Sequence, residues 1–300
     1  MSLRLGMFAL CAVIGLTGCA PPRGSQVTIG AKNFTEQVVL GELLAQEIEA
    51  VDAEQGRPQE KVARRFYLAG SYLCHQALIS GRIDGYVEYS GTALTAILKQ
   101  PLPAPDQRGQ VYDTVKSLYE QRFHVTAEPG LGFDDTFAIV MRGADARRLG
   151  ATKISDLARK DGALRLGVGY EFQARPDGLV GLEKAYGLHF AQPRVMDLGL
   201  LYRALSSGQV DVVAGNSTDG PIRALGFTVL EDDRHYFPPY EAVPLISDEA
   251  LRRHPEIGVA VARLAGEVSA TEMQAMNDAV DGRHEDVGAV VRRFRAGKGL

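Results

Sequence analysis

Residues 77–92 read ALISGRIDGYVEYSGT, and the fold follows from how this stretch is divided. Ala77, Leu78 and Ile79 end a helix, Gly81 stops it, and a short strand runs through Ile83. A polar loop with Tyr86, Glu88, Tyr89 and Thr92 is expected next. Glycine just past a helix adopts positive φ without strain, so helix, Gly and apolar strand in that order form a physical signal. The pattern recurs at residues 204–217, ALSSGQVDVVAGNS, with Ala, Leu, Ser, Gly, an aliphatic residue and Asp in the same places. In that register Tyr89 matches Asn216 and Ser90 matches Ser217. Such a recurrence is either chance in an α/β chain or the mark of two similar lobes, each offering a loop to a shared cleft.

Working outward, Val27–Gly30 alternates as a first strand and Thr35 opens a helix to about Ala50, with Val38, Val39, Leu43, Leu44 and Ile48 as its apolar stripe. Residues 63–68 give a second strand, and Ser71 is placed to cap the helix that enters the Gly81 turn. A helix over 92–99 ends at PLPAP, and another covers 111–121. FDDTFAIVMR (133–142) is a strand that crosses to a second lobe, and 164–168 echoes the first strand. Helices over 178–186 and 198–205 and a strand over 227–230 follow, before HYFPPYEAVP (235–244) returns as a proline-stiffened crossing. Beyond Ser247 the chain is mostly helical, and Arg292, Arg293 and Arg295 read as a solvated helix end. Strands alternating with helices predict an α/β protein with mainly parallel sheets: a clam-shell whose ligand sits beyond the carboxyl ends of the strands.

Two lobes are expected over 27–133 with 238–300, and over 134–237. Before them, Arg4 and the apolar run LGMFALCAVIGL, followed by Leu16-Thr17-Gly18-Cys19, resemble a lipoprotein export signal. Residues 1–18 would then be removed, Cys19 would carry lipid, and 19–26 would tether an extracytoplasmic domain. Only Cys74 then remains as a free thiol, so the fold rests on its core rather than on a disulfide. Cys74 beside His75 is no nucleophile pair, because adjacent helical residues point about 100° apart. A buried structural cysteine is expected instead.

A formal charge of −4 supplies no basic excess for nucleic acid. The metalloprotease, serine-hydrolase and phosphate-loop motifs are missing and the six histidines lack ligand spacing, so neither metal nor cofactor is expected. The pairs Asp134-Asp135 and Asp232-Asp233 fall in turns, where solvation is the ordinary state.

Six segments, AKNFTEQ, GRIDGYVEYSGTALTAIL, GFDDTFAIVMR, FQARPDG, STDG and EDDRHYFPPYEAVP, are similar, in order and across nearly the whole mature chain, to those of one family. It comprises the substrate-binding proteins of ABC importers for glycine betaine, choline, carnitine and related osmoprotectants. The resemblance implies a two-lobed periplasmic-binding-protein fold (type II-like), no catalysis, a monomer, and an ABC permease as partner. It implies an aromatic cage for a quaternary ammonium at Tyr89, Phe137, Asn216 and Tyr240, with Asp135 beside it. Lys32, Thr92 and Arg175 are implied for the carboxylate. Aromatic faces suit a cation that has no N–H to donate, and the planar Arg fork suits a carboxylate. Two positions depart from the family pattern. Phe137 stands where Tyr is usual, and Asn216 puts an amide where a ring is expected, so either betaine binding is weakened or a larger, more polar betaine is read. Tyr72, Tyr86, Tyr170 and Tyr236 are candidate substitute walls. A ligand sensor in the same fold, or a hydrolase using Asp135 or Glu88, are the rival functions.

Overall fold

The computed structural model describes residues 26–56, 61–159, 164–190 and 192–300. The expected signal, Cys19 and most of the tether lie outside them.

Two five-stranded sheets carry the chain. From the N-terminus come β1 (Thr28–Gly30), α1 (Thr35–Glu54), β2 (Ala63–Arg65), α2 (Ser71–Ile79), β3 (Gly85–Tyr89), the helical turn α3 (Ser90–Thr92) running into a π-turn over Ala93–Ile97, α4 (Val111–Phe123) and β4 (Val125–Ala127). The chain then crosses to β5 (Phe137–Arg142), α5 (Gly143–Leu149), β6 (Leu166–Val168), α6 (Tyr170–Ala174), α7 (Leu179–Tyr186), β7 (Arg194–Val195), α8 (Leu198–Ser206), β8 (Val212–Asn216), α9 (Gly220–Ala224) and β9 (Phe227–Val229). It returns through β10 (Ala242–Ser247) and finishes with α10 (Asp248–Arg253), α11 (Pro255–Leu264), α12 (Ala270–Asp281) and α13 (Val287–Lys298).

The sheet orders are β2-β1-β3-β10-β4 and β7-β6-β8-β5-β9. In each, the central strand pairs parallel to one neighbour and antiparallel to the strand that has come from the other sheet. The two sheets are therefore one topology used twice, and the recurrent turn is its clearest trace. Gly81 and Gly208 both sit at φ +70°, where only glycine is free of strain. Backbone bonds Arg82 N–H to Ala77 O (2.8 Å) and Gln209 N–H to Ala204 O (2.9 Å) close the two helices alike. The shared aspartate has a purpose too: Asp84 Oδ2 accepts from Thr28 N–H at 2.8 Å, and Asp211 Oδ2 from Arg165 N–H at 3.0 Å. Each ties its turn to the start of the strand that pairs parallel with the central one, β1 in the first sheet and β6 in the second.

Four local expectations are corrected. Tyr86, Glu88 and Tyr89 lie on β3, a fully buried central strand, not in a polar loop. Glu88 is tolerated there because Lys32 pairs with it and Tyr86 Oη donates to it at 3.1 Å. Ser71 is the first residue of α2 and does not cap it; its N–H is taken by Glu171 Oε1 at 2.7 Å. The carboxylate arrives from the other sheet's side of the molecule. Asp135 is buried rather than solvated. Arg295 is mostly buried as well, because α13 packs on α1 and brings it 2.8 Å from Glu47, a fully buried carboxylate that needs a cation. Cys74 is buried as expected, its thiol pushed up to about 12 by burial, while His75 packs edge-on against Tyr119 and Phe123.

The two crossings hydrogen-bond to each other. Asp135 N–H donates to Tyr240 O at 3.1 Å, Ala242 N–H to Phe133 O at 3.0 Å, and Tyr240 N–H to Asp134 Oδ1 at 2.8 Å. A short antiparallel pair at Asp134 and Glu241 therefore joins the halves. No helix among the described residues is long and apolar enough to cross a membrane.

Candidate functional site

The carboxyl ends of β1, β3, β6 and β8 face one cavity of about 320 Å³. Its size is at the small end of ligand cavities, roughly 300–1,000 Å³. Lys32, Tyr89, Thr92, Asp135, Phe137, Arg175, Asn216 and Tyr240 all line it, so residues scattered over two hundred positions converge.

The ring faces come from both halves. Phe137, which begins β5, stands edge-on to Tyr240 with centroids 5.5 Å apart and edge-on to Phe172 at 4.9 Å. Phe34, between β1 and α1, stacks on Tyr89 at 6.4 Å. Two cations already lie over these faces. The Arg175 guanidinium is 4.9 Å from the Phe137 centroid and 5.8 Å from that of Tyr240, and Lys32 Nζ is 4.8 Å from that of Tyr89. All three distances are inside the cation–π range of about 6 Å. The expected halves, rings for one end of a ligand and cations for the other, are thus interleaved rather than separate.

Both cations have resident partners. Arg175 Nε donates to Asp177 Oδ1 at 2.9 Å, its Nη2 donates to Oδ2, and its Nη1 donates to Thr92 Oγ1 at 3.0 Å. Burial works against the charge on Arg175, but the bonds and charge of Asp177 outweigh it and hold the guanidinium above its usual range. Asp177 is held low in turn: its burial is outweighed by Arg175, and Tyr240 Oη (2.6 Å) and Thr95 Oγ1 (3.0 Å) also donate to it. Glu171 Oε2 also lies 3.6 Å from Arg175 Nη1, so the guanidinium faces carboxylates of both Asp177 and Glu171.

Behind Tyr89 lies a second polar layer. Tyr89 Oη donates to Glu36 Oε1 at 2.6 Å, and Asn277 Nδ2 donates to Glu36 Oε2 at 3.0 Å. The Thr218 hydroxyl lies between Glu36 and Asp135, 2.7 Å from Asp135 Oδ1, and Thr218 N–H also donates to that oxygen. Burial, then the charges of Glu36 and Asp219, drive Asp135 well above the carboxylate range; burial also raises Glu36. Asp219, which accepts from Tyr202 Oη at 2.6 Å and from Asn216 N–H at 2.8 Å, is pushed up to about 7, chiefly by burial. Burial thus disfavours the charged form of all three carboxyls, and a cation in the cavity would favour it.

Of the candidate substitute walls, Tyr170 lines the cavity, whereas Tyr86 is sealed in the core beneath Glu88 and neither Tyr72 nor Tyr236 lines it. Phe34, Phe172 and Glu171 also line it and were not singled out in the sequence. Phe34 was within reach of sequence reasoning, since it follows Lys32 at the β1–α1 junction. Phe172 opens the quoted segment FQARPDG without having been given a role, and Glu171 carried no comparable signal.

Residues 25–297 match the model of the family described as the substrate-binding domain of ABC-type glycine betaine transport systems. The chain belongs to this family. It is 32% identical over 287 residues to the carnitine transport binding protein of Listeria monocytogenes, covering 95% of this chain and 89% of that one. It is 34% identical over 285 residues to the glycine-betaine-binding protein of Pseudomonas aeruginosa, covering 91% and 88%. A solved structure described as a glycine betaine/carnitine/choline ABC transporter superposes with a TM-score of 0.74 at 33% identity, over 91% of this chain and 98% of that chain. The fold is the two-lobed one of periplasmic binding proteins, and the family member is the extracytoplasmic solute-binding component of an ABC importer.

Proposed function

We propose that the cavity captures a trimethylammonium carboxylate of the glycine betaine type and that the chain delivers it, chemically unchanged, to an ABC permease. The observation that carries this reading is that rings from both halves, Tyr89 against Phe137 and Tyr240, already accept cations at their faces. A methylated ammonium has no N–H to offer, and ring faces hold it at roughly 0.5–2 kcal/mol each. Asp135 lies beside the rings, where a bound cation would favour its charged form. The carboxylate of the ligand meets the Arg175 guanidinium in competition with Glu171, which lies 3.6 Å from Nη1, with Thr92 and Lys32 at hand. Asn216 forms a polar side of the same site.

The lobes of this reading are residues 27–133 with 238–300, and 134–237. They close on the ligand about the paired crossings. Cys19, in the sequence Leu16-Thr17-Gly18-Cys19, is the proposed site of lipid attachment, which would keep the monomer at the membrane beside its permease. Isothermal titration of the purified domain with glycine betaine, carnitine and choline tests the reading. Binding of at least one, weakened at least about tenfold by Tyr89→Ala or Tyr240→Ala, is expected. If none binds, or if the ligand returns hydrolysed after denaturation, the reading is wrong.

A further inference from the structure

Buried carboxylates elsewhere in the fold meet Lys or Arg: Glu47 meets Arg295, Glu88 meets Lys32 and Asp177 meets Arg175. Glu36 on α1 and Asp135 in the first crossing are buried too, yet among the described residues neither pairs with a cation. Their surroundings are neutral or acidic. Tyr89 reaches in from β3, Tyr202 from α8 with Asp219 at the head of α9, and Asn277 and Asp281 from α12. Lys32 lies over the Tyr89 ring but is paired with Glu88, and Arg203 of α8 pairs with none of these carboxyls among the described residues.

The hydroxyl of Thr218 lies between the two acids, against Glu36 Oε2 and 2.7 Å from Asp135 Oδ1. A hydroxyl has one hydrogen, so it donates to one carboxyl only. The second contact is a hydrogen bond only when the other carboxyl carries a proton and donates to the hydroxyl oxygen. Two ionised carboxylates would instead set a buried acceptor against an acceptor, which is costly. The neighbouring donors do not supply the missing hydrogen: Tyr89 Oη serves Glu36 Oε1, Asn277 Nδ2 serves Glu36 Oε2, and Thr218 N–H serves Asp135 Oδ1. In this arrangement one proton is therefore held along Glu36, Thr218 and Asp135. Burial, which favours the neutral form of both acids, acts in the same direction.

Asp135 is the end of this chain of groups that lines the ring-lined cavity. We propose that a quaternary ammonium captured among the rings takes the place of the shared proton, so that binding is an exchange of a cation for a proton. The proton passes to the solvent, Thr218 gives its hydrogen to Glu36, and Asp135 faces the ammonium as a carboxylate. One positive charge enters this end of the site as one leaves. The proposal rests on the reading above and adds a regulation to it: capture is favoured in alkaline surroundings and resisted in acid ones, because a proton that must leave opposes binding more as pH falls. Neither glycine betaine nor choline titrates near neutral pH, so a released proton comes from the protein.

Calorimetric titration with glycine betaine, carnitine and choline at pH 6, 7 and 8, each in two buffers of different ionisation enthalpy, counts the protons released. About half a proton or more per ligand should leave across this range, with affinity rising roughly tenfold or more from pH 6 to pH 8. Glu36→Gln with Asp135→Asn removes both seats of the proton and should abolish the release and flatten the pH profile. Asp219→Asn, beside these groups but not among them, should keep both. Should the double variant not fold or not bind, Glu36→Gln alone is read instead; its amide supplies the hydrogen that Thr218 lacks, and it should at least halve the release. Binding to the parent protein with no proton released and no change with pH overturns the exchange and leaves the betaine reading standing. Release that survives these variants, or that vanishes in Asp219→Asn, overturns the assignment to Glu36 and Asp135. If none of the three ligands binds, the betaine reading itself fails and the exchange falls with it.

Discussion

The proposed reading gives Arg175 two roles in one guanidinium, and separating them is the most informative perturbation. It is 8% exposed, and its partner Asp177 is fully buried. Deleting one member of such a pair strands the other, at about 3–5 kcal/mol. Arg175→Ala alone would therefore lose ligand affinity through damage to the fold, whatever its part in binding. The double variant Arg175→Met with Asp177→Asn avoids this. Met keeps packing against Phe137, and the Asn carbonyl still accepts from Tyr240 Oη and Thr95 Oγ1, which lie 2.6 and 3.0 Å from the carboxylate oxygen. Replacing a buried pair by neutral groups of similar volume is close to neutral for stability.

What the double variant removes is the anion site. A charge-assisted hydrogen bond contributes about 1.5–3 kcal/mol, so the affinity for glycine betaine should fall by roughly ten- to a hundredfold. Choline, which has no carboxylate, should lose far less. Calorimetry on both ligands, with denaturant unfolding as the control, reads this directly. A double variant that folds as the parent does and binds glycine betaine equally well would refute the assignment and leave Arg175 a purely structural residue.

Asn216→Tyr adds a ring to the cavity wall, and glycine betaine should bind tighter by about 0.5–2 kcal/mol, or roughly twofold to thirtyfold, in the same titration; weaker binding would mean that the amide itself touches the ligand. Glu171 joins the halves by accepting from Ser71 N–H at 2.7 Å, at the N-terminus of α2. Glu171→Gln removes the charge from that contact and should cost about 1 kcal/mol of ligand affinity, or about fivefold, with a larger radius in solution scattering; unchanged affinity and radius would show that the contact plays no part in closure. Asp219, raised from 3.8 to about 7, binds its proton more tightly in the folded state than in the unfolded chain. Its contribution to stability is complete below the ordinary Asp range and is lost as pH rises through about 7, at no more than about 1.4 kcal/mol per pH unit. Ligand-free protein should thus unfold in less urea at pH 8 than at pH 5, and Asp219→Asn should flatten that difference; an equally steep variant would rule Asp219 out as the cause.

The halves of this fold were legible because a glycine requirement is local. Gly81 and Gly208 announce the same turn using only neighbours in the chain, whereas the ties of Asp84 to Thr28 and of Asp211 to Arg165 span 56 and 46 positions and show only in the fold. The eight cavity residues were legible through resemblance, each in its own motif. Glu88 was not read as a strand residue, because a carboxylate in a buried strand makes sense only once Lys32, fifty-six positions earlier, is placed against it. The layer of Glu36, Asp135, Thr218 and Asn277 was invisible for the same reason: each member is unremarkable until the others surround it. Arg295 looked solvated because nothing nearby in the sequence points to Glu47.

The duplicated topology also makes two positions in the cleft equivalent. Tyr89 and Asn216 are equivalent ends of equivalent strands, paired across their ladders with Ala242 and Phe137 respectively. In the first half the large ring is on the central strand and the small residue on its neighbour; in the second half the order is reversed. Each half thus presents one ring at this level of the cleft, Tyr89 in the first and Phe137 in the second, so the amide at Asn216 does not leave its half of the cleft without a ring.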